Sequence, residues 1–190
     1  MHGITGVGKS YYSEKISEEL NVKKINTIRT RKIRKDEQNG RTGYFMTKEE
    51  LNDLENQGEI AYRFEVFGGE YAYLTKEIYS DNDYVMEMHY TTIDDWKRIK
   101  PDIKTIYILP TDINVAIEKT KNRNLSKEKE VERIEEIKEQ YTKFINDENL
   151  RKKFDFCIYN NYDEESKTKI IELVKNLKQG EYYANLLFTR

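Results

Sequence analysis

Tyr12, Ile16 and Leu20 recur four residues apart, which predicts a helix from Ser10 to Leu20. Val22 to Arg29 is short and β-branched and predicts a strand. Tyr84 to Met88 and Thr105 to Leu109 predict two buried strands, the second closed by Pro110, and Phe156 to Tyr159 predicts a last short one. Helices are predicted at Thr91 to Ile99 and Asp112 to Lys121. A long amphipathic helix carries Val131, Ile134, Ile137, Tyr141 and Phe144 on one stripe, and a final helix buries Ile170, Ile171, Val174 and Leu177. Strands alternating with helices predict an α/β fold with a parallel sheet flanked by helices.

The stretch from about 30 to 75 breaks this rhythm. It is basic at first and aromatic later, with turn signals at Asn39-Gly40 and Gly68-Gly69. Strand-like Tyr44-Phe45-Met46 and Ile60 to Phe67 flank a short helix at Lys48 to Gln57. Gly68-Gly69 between aromatic runs predicts a hairpin. A small β-rich insertion in the α/β body is the expected result. Residues 122–130, NRNLSKEKE, predict a mobile polar segment. The tail after Gln179, with Tyr182, Tyr183, Leu186, Leu187 and Phe188, is expected to pack on the body.

Composition narrows the function classes. The chain has 190 residues with 33 basic and 35 acidic side chains, a formal net charge of -2. That balance does not suit a general nucleic-acid binder, so any phosphate site must come from local clustering of Lys and Arg. The single cysteine, Cys157, has no partner for an internal disulfide, which fits a reducing compartment. There is no apolar run near the roughly 20 residues of a membrane helix, and no signal-peptide core. The expectation is a cytoplasmic protein without membrane or nucleic-acid partners.

Gly3-Ile4-Thr5-Gly6-Val7-Gly8-Lys9-Ser10 matches the phosphate-loop pattern GxxxxGK[ST] at every required position. Glycines let the backbone turn tightly and aim N–H groups at phosphate oxygens. Lys9 supplies a point charge for the transferring phosphoryl group, Ser10 a hydroxyl for Mg²⁺, and the following helix its positive end. These residues predict an ATP site. Only Met1 and His2 precede Gly3, and at about 3.3 Å per residue they are short of a usual strand of ~5. The strand that leads into such a loop is therefore expected to lie upstream, or its place to be filled by another segment or by closure of its neighbours.

Beyond the loop come Thr30-Arg31-Lys32-Ile33-Arg34, then Asn39-Gly40, then Tyr44-Phe45. In this order of motifs the chain resembles the guanylate kinase family, whose signature is T-R-x-x-R, a turn with N-G, and Y-F. The similarity runs from Gly3 to about Leu177. It implies one domain over 1–190, with a core at about 1–29 and 76–190, a monophosphate-binding insertion at about 30–75 and a helical lid at about 122–130. The implied reaction is ATP + GMP to ADP + GDP with Mg²⁺, in a monomer or homodimer. The resemblance makes Arg31, Arg34, Tyr44 and Tyr73 the grip on the acceptor phosphate. Two guanidinium forks and tyrosine hydroxyls also suit a phosphate dianion on chemical grounds. Thr27 and Thr75 fall near the base, Arg123 and Arg133 match arginines closing over the triphosphate, and Asn160 falls at the donor adenine.

Three positions depart from the family. Tyr62 stands where a carboxylate binds guanine, with Glu59 and Glu65 a register slip away. Glu87 keeps the first of two acids, which would order magnesium water or the acceptor ribose, and His89 replaces the second. Leu74 replaces a glycine. These departures leave phosphoryl transfer intact and predict weakened guanine recognition, so a kinase for another purine monophosphate is an alternative. A non-catalytic phospholigand-binding module is a further one, against which the intact Gly8-Lys9-Ser10 argues.

Overall fold

The computed structural model describes residues 1–34, 37–66, 68–122 and 125–180. In chain order the elements are β1 (His2–Gly3), α1 (Lys9–Leu20), β2 (Lys23–Ile25), β3 (Ile28–Arg29), β4 (Tyr44–Phe45), α2 (Lys48–Asn56), β5 (Ile60–Val66), β6 (Gly69–Leu74) and α3 (Thr75–Ile78). There follow β7 (Tyr84–Met86), α4 (Ile93–Ile99), β8 (Ile106–Pro110), α5 (Ile113–Lys121), α6 (Lys127–Asn146), α7 (Glu148–Arg151), β9 (Phe156–Asn160) and α8 (Glu164–Lys178). The chain divides into two compact units, one of Met1–Asn21 with the residues from Glu87 onward, the other of Val22–Met86.

The first unit is built on a parallel sheet in the order β1-β8-β9. Every residue of β8 is buried, as expected of a parallel strand with neighbours on both edges. The short β1 pairs with it through His2↔Tyr107 and Gly3↔Ile108. On the other side of that short run the Met88 N–H donates to the Met1 carbonyl, 3.0 Å. The backbone just ahead of the loop therefore has hydrogen bonds on both sides. Around β8, Tyr107 stacks on Phe144 with 3.6 Å between ring centroids, and Phe154, Leu109, Ile93 and Cys157 complete the cluster. His2 is fully buried, edge-on to Phe154. Burial holds its imidazole well below the usual range, so it is neutral.

On α6 the predicted stripe holds at Ile137 and Phe144, both fully buried, while Val131 is 56% exposed. The helix begins earlier than that stripe, at Lys127, because the Ser126 hydroxyl accepts from the Lys129 N–H and caps it. Among the described residues no helix is long and apolar enough to cross a membrane. The tail residues 181–190 lie outside the described residues.

The second unit carries a two-stranded parallel sheet, β2-β7, and a four-stranded sheet in the order β4-β3-β6-β5. The run Val22 to Arg29, expected as one strand, is two. Lys23–Ile25 pairs with β7 and Ile28–Arg29 with β4 and β6, so the chain changes sheets at Asn26-Thr27. The hairpin at Gly68-Gly69 forms as expected, with Gly68 in the left-handed region at φ 66. Ile28, Leu51 and Ala72 make the core on one face of the larger sheet. Helix α2 is fixed there by a capping box, in which Glu50 N–H donates to the Thr47 hydroxyl and Thr47 N–H to the Glu50 carboxylate.

Candidate active site

The phosphate loop leaves β1 and enters α1 through three glycines with positive φ. Two of these positions admit no side chain. A Cβ on Gly3 would lie 2.5 Å from the Ile108 carbonyl oxygen, and one on Gly6 would lie 2.5 Å from that of Ala116. The loop is thus pressed against β8 and α5. Gly8, at φ 91, is the N-cap of α1; it offers no side-chain cap, and the first turn of the helix holds no acid. An anion is the natural partner for such a helix start, since the first N–H groups have no intrahelical acceptor and carry the positive end of the dipole.

Lys9 folds back across this loop, its Nζ donating to the carbonyls of Gly3 and Ile4, each at 2.9 Å. The Ser10 hydroxyl donates to Glu87 Oε2 at 3.1 Å. A hydroxyl and a carboxylate side by side are hard oxygen donors, a set that suits Mg²⁺. His89 is half-buried with Nδ1 2.7 Å from the Thr91 hydroxyl. Burial, then the Lys9 ammonium, lowers its imidazole to about 4, so it is uncharged at neutral pH.

Asn160, at the end of β9, ties the loop down. Its Nδ2 donates to the Val7 carbonyl at 3.0 Å, and its Oδ1 accepts from the Tyr12 hydroxyl and the Tyr162 N–H. Beside it lies a cavity of about 440 Å³ whose lining includes Gly8, Tyr11, Tyr12, Lys119, Asn160 and Tyr162 together with the acids Asp163 and Glu164. Tyr162 has φ 61, and its hydroxyl donates to the Gly6 carbonyl at 3.4 Å. Lys119 Nζ stands 4.9 Å over its ring. Arg133 is on α6, paired with Glu136 one turn on. Arg123 lies outside the described residues.

The Val22–Met86 unit holds the remaining predicted residues. Arg31 grips Glu37 with both ends of its fork, Nη1 to Oε2 at 2.6 Å and Nη2 to Oε1 at 2.5 Å. Arg29 Nη1 reaches the same Oε1 at 2.9 Å, and the Arg34 N–H donates to Oε2 at 2.9 Å. Both guanidiniums lie over the Phe45 ring, 5.7 and 5.5 Å from its centroid. Burial raises the Glu37 carboxyl, but the Arg31 hydrogen bonds, the Arg34 N–H and the two arginine charges outweigh it and bring it down to about 2.

Strand register decides which aromatics join this cluster. Arg29 faces Phe45 and Tyr71; Tyr71 faces Phe64; Tyr73 faces Tyr62. Directly opposed residues share a sheet face, so these form one face, and Tyr62, Phe64 and Tyr71 stack along it at 5.5 Å spacings. Tyr73 is buried in the same stack. Tyr44 faces Ile28 and packs on the opposite side with Leu51, apart from the arginines. Glu65 faces Glu70, off the aromatic face, so the observed register puts Tyr62 rather than Glu65 beside Tyr73. The Thr27 carbonyl accepts from Tyr44 N–H, and Thr75 opens α3 with its hydroxyl on the Gly58 carbonyl.

The sequence model of the guanylate kinase family matches residues 1–177 of the 190. The chain belongs to the guanylate kinase family. Among its relatives is the guanylate kinase of Hahella chejuensis (strain KCTC 2396), 23% identical over 124 residues, which cover 63% of this chain and 60% of that protein. Another is the guanylate kinase of Pseudomonas fluorescens (strain Pf0-1), 26% identical over 98 residues, covering 50% of this chain and 48% of that protein. The alignments thus span less than two thirds of either relative. In fold, the crystal structure of guanylate kinase from Anaplasma phagocytophilum superposes with a TM-score of 0.67 at 19% identity, over 97% of this chain and 87% of that one. The parallel sheet flanked by helices agrees with the expected fold class. Sequence reading passed over Arg29 and Glu37, which look like solvated charges in a basic stretch, and Lys119 and Tyr162, whose positions carry no motif.

Proposed function

We propose that this guanylate kinase family member transfers the γ-phosphoryl group of ATP to GMP, giving ADP and GDP. The observation that carries the reading is the glycine-built loop of Gly3 to Ser10, whose bare helix start, Lys9 and the Ser10–Glu87 pair suit a triphosphate. An oxygen of the acceptor phosphate, already anionic, forms the new bond to the γ-phosphorus while the bond to the β,γ-bridging oxygen breaks and ADP leaves. No general base is needed, so the protein's task is positioning and charge neutralisation.

Lys9 exchanges its loop carbonyls for phosphate oxygens, and loop N–H groups of Thr5 to Ser10 hold the rest. Ser10 and Glu87 would hold Mg²⁺, which when bound neutralises charge on the β- and γ-oxygens. Arg31 and Arg34, with Tyr73, grip the acceptor phosphate, while Tyr44, on the other face of the sheet, takes no part in the grip; Arg133 and Arg123 serve the triphosphate. Asn160 and the cavity beside it take the donor base. Within the Val22–Met86 unit, Thr27 and Thr75 serve the acceptor nucleoside. The reaction belongs in a reducing, cytoplasmic setting.

If Arg31 grips the acceptor, Arg31→Ala weakens GMP binding by about 10²-fold and ATP binding by much less. Calorimetric titration with each nucleotide reads the difference, and equal losses would put Arg31 in the wrong subsite.

The Tyr62–Phe64 stack supports a second reading, a kinase with broad purine monophosphate acceptance. A tyrosine stacked on its neighbour offers one hydroxyl where a carboxylate would take two donors from guanine. The expected result of an ADP-release assay over a nucleotide panel is turnover with GMP and discrimination against other purine monophosphates below about 10²-fold. Exclusive use of GMP would refute the broad reading; no turnover with any monophosphate would refute both.

A further inference from the structure

The polar groups around the donor-base cavity are already committed, and those commitments decide what the cavity can read. Among the described residues lining it, the amide is Asn160, only 1% exposed. Backbone partners fix which way this amide points. The Val7 carbonyl only accepts, so the nitrogen faces it, and the Tyr162 N–H only donates, so the oxygen faces that. The Tyr162 N–H reaches Oδ1 at 2.6 Å and the Tyr12 hydroxyl reaches it at 2.7 Å. An amide oxygen has two lone pairs, so Oδ1 has none left for a base. A Cβ on Gly8 would lie 3.7 Å from Nδ2, which puts the amide directly behind the phosphate loop.

An exocyclic amine on the donor base thus gains nothing from Asn160. Asp163 is occupied as the N-cap of α8, accepting from the Ser166 N–H at 2.8 Å. Glu164 is 81% exposed and paired with Lys167 at 2.7 Å, where water screens its charge. Tyrosine hydroxyls donate or accept, so they suit an amine and a carbonyl alike. What the cavity offers in quantity is rings. Tyr11 is 44% exposed, Tyr12 lies edge-on to it at 5.3 Å, and Tyr162 carries the Lys119 ammonium 4.9 Å from its centroid. Rings hold any base, since every base has a π-face.

We propose that this cavity holds the donor base by its faces and leaves its edge unread, with Asn160 as the wall behind it and the positioning residue of the phosphate loop, so that nucleoside triphosphates with a 6-oxo base serve as donors alongside ATP. This rests on the reading of the chain as a kinase whose donor base enters that cavity. With GTP as donor, the GMP phosphate oxygen bonds to the γ-phosphorus, the bond to the β,γ-bridging oxygen breaks, and two GDP result. With ITP the products are IDP and GDP.

The test compares ATP, ITP and GTP as donors, with GMP consumption followed by ion-exchange chromatography. kcat/KM for ITP and for GTP lies within about 10-fold of that for ATP; a larger preference for ATP would overturn the proposal. Asn160→Ala separates anchor from reader, with inorganic tripolyphosphate as a ligand that has phosphates and no base. Calorimetry shows ATP and tripolyphosphate weakened by the same factor, about 10-fold, while KM for GMP stays within about 2-fold. A loss confined to ATP would show an amide that reads the base, and a loss shared with GMP a merely structural one; either would overturn the proposal. Should Asn160→Ala not fold, Tyr12→Phe, which removes one of the three bonds, weakens both ligands about 3-fold with the same split. Tyr11→Ala, at an exposed ring, weakens ATP and ITP alike by about 10-fold, and a loss for ATP alone would overturn the proposal. If the wild-type protein turns over no triphosphate, the kinase reading fails separately. Calorimetry with ATP and ITP then decides: Kd values within about 10-fold uphold the unread edge, and a larger preference for ATP overturns it.

Discussion

Lys9→Ala is expected to lower turnover by about 10²–10³-fold, the usual loss when one donor to a developing charge is removed from a closed site. Folding is expected to change little. The bonds Lys9 makes to the Gly3 and Ile4 carbonyls are within its own loop, so their loss is local. The measurement is steady-state ADP release from protein whose melting temperature matches the wild type. A well-folded Lys9→Ala protein that releases ADP at the wild-type rate would end the kinase reading.

The second large effect is expected from Gly6→Ala, and it comes through the backbone. Gly6 sits at φ 83, where an L side chain costs about 1–2 kcal/mol. The added Cβ would also meet the Ala116 carbonyl oxygen at 2.5 Å and the Thr120 hydroxyl at 3.0 Å, so loop or helix must shift, at a further ~1–3 kcal/mol. At roughly 2–4 °C per kcal/mol for a chain of this size, a fall in melting temperature of about 10 °C follows. ATP affinity should fall with it, because the loop that presents the N–H groups is the part displaced. Gly40→Ala is the control: its φ is also positive, 83, but nothing lies within 4 Å of the added carbon. Equal destabilisation by both substitutions would mean that strain, not contact with α5, holds the loop.

The phosphate loop was legible in the sequence because its chemistry is local. Eight consecutive residues carry the glycines, the lysine and the serine, and the helix period starts where the motif ends. Tyr44 was legible as a strand residue, but which face it took was not, since its register comes from Ile28, some 16 residues away, which is itself paired with Ala72. The break at Asn26-Thr27 was hidden for the same reason. A β-branched run reads as continuous until each half finds a different partner strand. Glu37 illustrates a third kind of blindness. An acid among Lys and Arg has the composition of a solvated stretch, and only the folding of Arg29, Arg31 and the Arg34 amide around it makes it a buried junction. Tyr162 lacked any signal, since a left-handed φ at a tyrosine has no mark in sequence.

Helix α1 begins on Gly8 with no capping side chain and no acid in its first turn. Ordinary stabilisation of such a helix would place a carboxylate near its start, worth about 0.3–1 kcal/mol. That same charge would repel a triphosphate from the one spot built to receive it. The chain therefore keeps a locally imperfect helix, and the defect is inherited by any attempt to make the protein more heat-resistant. Substitutions that improve the start of α1 would be selected in a screen for stability and lost in a screen for activity, which makes positions 10–12 the place where those two demands part.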